Sequence, residues 1–185
     1  IAKGKPDLSA WTNDKWEALE GGVMRVKGRS GDNKTKATHG DMQMHLEFKT
    51  AHMPSESGQG RSNSGVYLQD RYEVQVLDSF GVISGSGDCG GIYEQSVAAV
   101  NASYPPGQWQ TYDITFVAAK FDKDGKVKKF PTVTVKHNGV VIQDKHEFKT
   151  VTGGSVSDKV ARKARFRFQD HGDPVEFRNV WWVEK

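Results

Sequence analysis

Several short segments set polar, titratable side chains opposite apolar ones at a spacing of two. In RYEVQVLD, Glu73 and Gln75 oppose Val74 and Val76, with Asp78 just beyond; in DMQMHLEFK, Gln43, His45 and Glu47 oppose Met42, Met44, Leu46 and Phe48. SGVYLQD sets Tyr67 and Gln69 against Val66 and Leu68, and ARFRFQDHG sets Arg165, Arg167 and Gln169 against Phe166 and Phe168. Carboxylates, amides, imidazoles and guanidinium groups fixed on a sheet supply the many directed hydrogen bonds that a sugar demands. Aromatic rings such as Tyr67, Tyr93 or Trp182 can cover its apolar faces. The plainer reading of each residue is the wet outer face of an antiparallel sheet. Glu73 and Gln75 stand apart because Asp78 and a glycine-rich loop place them near a rim.

Strands must position these groups, because period-two alternation recurs at short intervals and long 3.6-residue periodicity does not. Further strand signals run through WQTYDITFVAA, TVTVKHNGVVIQD and VEFRNVWWVE. Asn138-Gly139 predicts a tight hairpin, Asp124-Gly125 a second turn, and Pro105-Pro106-Gly107 a stop before Trp109. Ten to thirteen strands without a Pro- or Ser-rich linker or an internal repeat predict an all-β fold. Its architecture is a jelly-roll β-sandwich of two antiparallel sheets, in one domain over residues 1–185. The long loops 51–64 and 81–106 are where a site on a rigid sandwich is expected.

A chain of 185 residues is long enough to bury a core without staples. With 26 Lys and Arg against 23 Asp and Glu, the net charge of +3 is too small and dispersed for a nucleic-acid partner. The densest basic stretch, KFDKDGKVKK from Lys120 to Lys129, carries two aspartates and a turn signal and reads as a solvated hairpin. One cysteine, Cys89, excludes an internal disulfide. No apolar run is long enough for a membrane helix. The opening IAKGKPDL has neither Met nor a signal-like stretch, which suggests a mature exported protein or an excised segment.

Other motifs fall away on context. Gly85, Gly87 and Gly90 match a dinucleotide fingerprint, but no helix follows and no βαβ unit surrounds them, so no nicotinamide or other organic cofactor is expected. Asp122 and Asp124 lack the remaining ligands of a calcium loop. The six histidines show no zinc spacing. Asn33-Lys34-Thr35 and Asn101-Ala102-Ser103 are glycosylation sequons that matter only in a eukaryotic secretory route.

The blocks GRSNSGVYLQDRYEVQVLDSFG, NASYPPGQWQTYDITF, HNGVVIQD and FQDHGDPVEFRNVW resemble the 3-keto-disaccharide hydrolase domain family, in order from about Leu8 to Val183. The resemblance implies a concanavalin A-like lectin/glucanase jelly roll, exported to the periplasm or secreted by a bacterium, that acts on glycosides oxidised to a ketone at carbon 3. Such a ketone acidifies the hydrogen on carbon 2. A base can remove it, the group on carbon 1 leaves by elimination, and water addition completes a net hydrolysis. The route needs a base, a proton donor, and fixed positive charge or a divalent metal ion for the enolate oxygen.

On matching positions, the resemblance points to Glu73, Gln75 and Asp78, and to Gln169, Asp170 and His171 of QDHG. His171 is the candidate acid or base, since imidazoles serve as either near neutral pH; Glu73 is the alternative base or a metal ligand, and Arg178 could neutralise the enolate. With Tyr67, Gln69, Tyr93, His45 and Glu47 these complete the expected sugar-binding set. The chain departs from the family pattern at Gln69, where Arg is common, and at Glu94, where Gly is usual. A non-catalytic carbohydrate-binding module on the same fold is the competing function. An ordinary glycosidase is less well supported, because no strand carries two carboxylates suitably spaced on one face.

Overall fold

The computed structural model of the chain describes residues 4–185. It is the expected jelly-roll β-sandwich, with thirteen strands among the described residues and every pairing antiparallel. Seven strands form the larger sheet. They are β1 (Glu17–Leu19), β2 (Val23–Arg25), β13 (Glu176–Glu184), β4 (Met42–Lys49), β7 (Gln110–Val117), β10 (Thr132–His137) and β11 (Val140–Glu147), in that spatial order. The smaller sheet runs β3 (Asn33–His39), β12 (Ala164–Phe168), β5 (Ser64–Leu68), β6 (Tyr72–Val76). A separate ribbon, β8 (Lys120–Phe121) with β9 (Val127–Lys129), carries the basic stretch into solvent.

Alternation settles which side of each strand meets the core. Met42, Met44, Leu46 and Phe48 of β4 lie beside Tyr112, Ile114 and Phe116 of β7. They face Val66, Leu68, Val74, Val76, Phe166 and Phe168 from the smaller sheet, and all are buried. Each such side chain contributes roughly 1.5–3 kcal/mol of apolar burial. Phe168 stacks on Phe177 with ring centroids 3.9 Å apart, tying β12 to β13 across the sandwich. At Asn138-Gly139 both residues take positive φ, 50° and 82°, as a tight hairpin between twisted strands requires.

The plainer, wet-face reading fails at β5 and β6. The polar face of β5 and β6 is not wet: every residue of both strands is buried. The segment after the glycine-rich loop returns along β6, where Gln75 N–H donates to Gly91 O and Gly90 N–H to Gln75 O, both at 2.9 Å. Ile92 forms a bridge to Val74. A loop thus extends the smaller sheet and roofs its outer face.

Candidate active site

Beneath that roof is a pocket of about 190 Å³, lined by Gln59, Asn63, Tyr67, Glu73, Gln75, Tyr93, Gly153, Gly154, Gln169 and His171. β5 and β6 place Tyr67 and Glu73 directly opposite each other in register. The Tyr67 hydroxyl lies 2.8 Å from Glu73 Oε2 and 2.9 Å from Gly153 O, and Gln169 Nε2 approaches it at 3.4 Å. Gly65, Glu73's other near neighbour on β5, has to lack a side chain, because a Cβ there would collide with Glu73 Oε1.

Burial raises Glu73 from the ordinary carboxyl range to about 7; a hydrogen bond donated by Tyr67 to the ionised carboxylate opposes the rise, as does Arg167, while Asp32 and Glu94 add to it. Burial likewise lifts the Tyr67 phenol well above its ordinary value, helped by Glu73. Arg167 sits behind Tyr67, its guanidinium carbon 3.7 Å from the ring centre. It donates to Asp32 Oδ2 at 2.6 Å and Gly154 O at 2.7 Å, and forms an ion contact with Asp70 at 2.7 Å.

Amides form the opposite wall. Gln75 Nε2 and Asn63 Nδ2 both donate to Gln59 Oε1 at 3.0 Å, and Gln59 Nε2 donates to Gly87 O at 2.7 Å. Asn63 lines the pocket and is buried, and its Oδ1 has no partner among the described residues. His171 is exposed at the rim, on the loop after β12.

Six of the expected residues, Glu73, His171, Tyr67, Gln75, Tyr93 and Gln169, therefore meet around one pocket. Asp78 and Asp170 stand behind it. Asp78 pairs with Arg61 at 2.6 Å and so holds the loop bearing Gln59 and Asn63. Asp170 accepts the backbone N–H groups of Arg29, Gly31 and Gly172, which shapes the turn presenting His171. Gln69 is a correction: at φ 51° in the β5–β6 turn it is fully buried, and its amide donates to His39 O and Arg162 O, so it cannot face a ligand.

His45, Glu47 and Arg178 are corrections too, because they lie on the outward face of the larger sheet, across the core from Glu73. Glu47 holds Arg178 at 2.6 Å, Arg178 covers Trp109 at 3.9 Å, and His45 bonds Asp113 at 2.7 Å while stacked on Trp181. Arg178 therefore cannot neutralise an enolate formed beside Glu73. Trp182 packs against the core instead of covering a ligand. Sequence reading passed over Gln59, Asn63, Gly153 and Gly154. Of these only Asn63 lay within a block that carried the family resemblance.

Among the described residues no three His, Cys, Asp or Glu side chains converge as a metal would require. Asp32 and Asp70, the carboxylates behind the pocket, are committed to Arg167, so the donor set does not fit a divalent ion held by side chains. A wider cleft of about 640 Å³ at one end of the central strands β13, β4 and β7 is lined by Asp41, Lys120, Lys163 and Glu184, which pair with one another and leave no convergent chemistry.

The family model described as the 3-keto-alpha-glucoside-1,2-lyase-like domain matches residues 2–183. The chain belongs to this family. It is similar to a candidate glycosyl hydrolase from Parabacteroides distasonis, at 37% identity and a TM-score of 0.88, over 99% of this chain and 82% of that one. A second candidate glycosyl hydrolase from the same organism shares 18% identity, with a TM-score of 0.72 over 96% and 95% of the two chains. The carbohydrate binding module CBM66 from Bacillus subtilis has a TM-score of 0.53 at 13% identity, over 100% and 99%, and with the second hydrolase speaks to the fold alone. No curated protein matches. Membership of the 3-keto-alpha-glucoside-1,2-lyase-like family gives the chain a function directed at carbohydrate.

Proposed function

We propose that this 3-keto-alpha-glucoside-1,2-lyase-like protein cleaves 3-keto glycosides by removing the carbon 2 proton and eliminating the group on carbon 1. The observation that carries the proposal is a buried carboxyl, Glu73, opening with His171 into a small amide-lined pocket. The ketone at carbon 3 lets the electron pair left on carbon 2 delocalise as an enolate. Its collapse expels the carbon 1 oxygen, which takes up a proton, and leaves a carbon 1–carbon 2 double bond; water then adds across it. Glu73 and His171 are the groups in the pocket able to give and take these protons. The amide N–H groups of Gln169 and Gln59 can meet the developing enolate oxygen, and the Tyr93 ring can cover a sugar face.

Glu73 is the one carboxylate lining the pocket among the described residues. An ordinary glycosidase needs two, flanking the scissile bond, so the elimination route accounts better for the groups present. The same reading carries the expectation of a periplasmic or secreted protein meeting oxidised sugars outside the cytoplasm.

Incubating the protein with a 3-keto glucoside and with its unoxidised counterpart tests the proposal. Only the keto sugar should release its aglycone, and Glu73→Ala and His171→Ala should each slow release by on the order of 100-fold. Equal release from both substrates would point to a conventional glycosidase. Binding of the keto sugar without release would point to a carbohydrate-binding module.

A further inference from the structure

The Tyr67 hydroxyl has one hydrogen, and two oxygens compete for it: Glu73 Oε2 at 2.8 Å and Gly153 O at 2.9 Å. If Glu73 is ionised it can only accept; Tyr67 then donates to it, and Gly153 O loses its donor. If Glu73 is protonated, every contact is satisfied at once. Glu73 donates to the Tyr67 oxygen, Tyr67 donates to Gly153 O, and the remaining lone pair of Tyr67 receives the weaker approach of Gln169 Nε2 at 3.4 Å.

We infer that Tyr67 is a positioning residue that holds Glu73 in its protonated form by accepting its hydrogen, which makes Glu73 the proton donor of the pocket and leaves His171 as the base. Resting on the elimination proposed above, the assignment sets the order of proton movements. His171 takes the carbon 2 hydrogen; Glu73 gives its proton to the carbon 1 oxygen as that bond breaks. The carboxylate so formed then takes a proton from the water whose hydroxide adds to carbon 1, and His171 returns its proton to carbon 2, so that both groups end as they began.

The surrounding charges favour this state. The charges of Asp32 and Glu94 disfavour a further negative charge on Glu73. Arg167, the cation nearest the pair, is shared between Asp32 and Asp70, and Lys34 is held by Asp70 at 2.9 Å. His171 stands at the open rim. The rise of Glu73 to about 7 agrees with a carboxyl that keeps its proton well above the ordinary range.

Carbon-13 NMR of glutamate side-chain carboxyls, with Glu73 assigned by its loss in Glu73→Gln, reads the proton without any substrate. In the wild type Glu73 should titrate near neutrality. In Tyr67→Phe, which removes the acceptor, its proton should be held about tenfold more weakly and titrate at lower pH. The alkaline limb of turnover on a 3-keto glucoside should move down with it. An upward movement would mean that Tyr67 donates to an ionised Glu73, and no movement that Tyr67 does not hold the proton; either would overturn the assignment. Should Tyr67→Phe fail to fold, a wild-type Glu73 titrating in the ordinary carboxyl range overturns it without the variant. The expected titration in a protein that turns over no keto glycoside would keep the proton on Glu73 while defeating the proposed reaction.

Discussion

Gly154 lies so close to Tyr67 that a methyl group on its α-carbon would stand 2.6 Å from the phenolic oxygen. Its φ of 69° is also one that residues with a side chain rarely adopt. Gly154→Ala should therefore push Tyr67 off its partners and cost about 1–3 kcal/mol of stability. Urea denaturation checks the stability, and turnover on a 3-keto glucoside should fall with it; a variant as stable and active as the wild type would show that the segment yields freely.

Glu73 makes stability depend on pH in a defined direction. In the unfolded chain it ionises near 4.5, and in the folded protein at about 7. The unfolded state thus sheds this proton first. The stability Glu73 contributes is whole below about pH 4.5 and is lost as the pH rises through 7. The gap corresponds to on the order of 3 kcal/mol. Urea unfolding of wild type and Glu73→Gln at about pH 4.5 and about pH 8 should show the wild type losing that much relative to the variant. Parallel behaviour of the two would remove Glu73 from the account.

Glu94 adopts a φ of 58°, in the left-handed region where glycine is at ease. Glu94→Gly should raise stability by about 1 kcal/mol by relieving that strain. It should also lower the pH at which Glu73 titrates, because Glu94 is one of the charges that raise it. Thermal melts and the carboxyl titration read the two effects separately.

Asp170, beside His171, accepts the backbone N–H groups of Arg29 and Gly31 from the β2–β3 loop and of Gly172. Asp170→Ala should loosen the rim and lower kcat on the keto glycoside, at a stability cost of about 1–3 kcal/mol from the unpaired donors. The Glu73 titration should stay where it is. A shift in that titration would mean that Asp170 acts on the pocket's charge and not through the His171 turn.

On the far side of the sandwich, His45→Ala and Arg178→Ala should leave turnover within about twofold of wild type, since substitutions away from a site rarely reach it. A large loss in either, with the fold intact by circular dichroism, would place chemistry on the wrong sheet.

The core was legible because burial writes itself into period two. Met44, Leu46, Val74, Val76, Phe166 and Phe168 were expected inside and are. Alternation also assigned Glu73 and Gln75 to the opposite face of their strand. What it could not convey is the sheet to which each strand belongs. The outward residues of β4 and of β6 look alike in sequence, yet they lie on opposite sides of the molecule, which is why His45, Glu47 and Arg178 were grouped with Glu73. Gln69 escaped for a local reason, since a positive φ at a turn ends the alternation that had placed it beside Tyr67. Gln59, Asn63 and the Gly153-Gly154 pair come from loops whose path depends on side-chain clamps such as Asp78 with Arg61, and no periodicity records those.

The backbone bonds by which Gly90 and Gly91 meet Gln75 have a bearing on solubility. β6 is the last strand of its sheet, and without that segment its free N–H and C=O groups would form a template for a strand of another molecule. The roof of the pocket is thus also the guard of a sticky margin. Any variant that lifts this loop to admit a bulkier glycoside uncovers the margin too, so enlarging the pocket and keeping the protein monodisperse pull against each other.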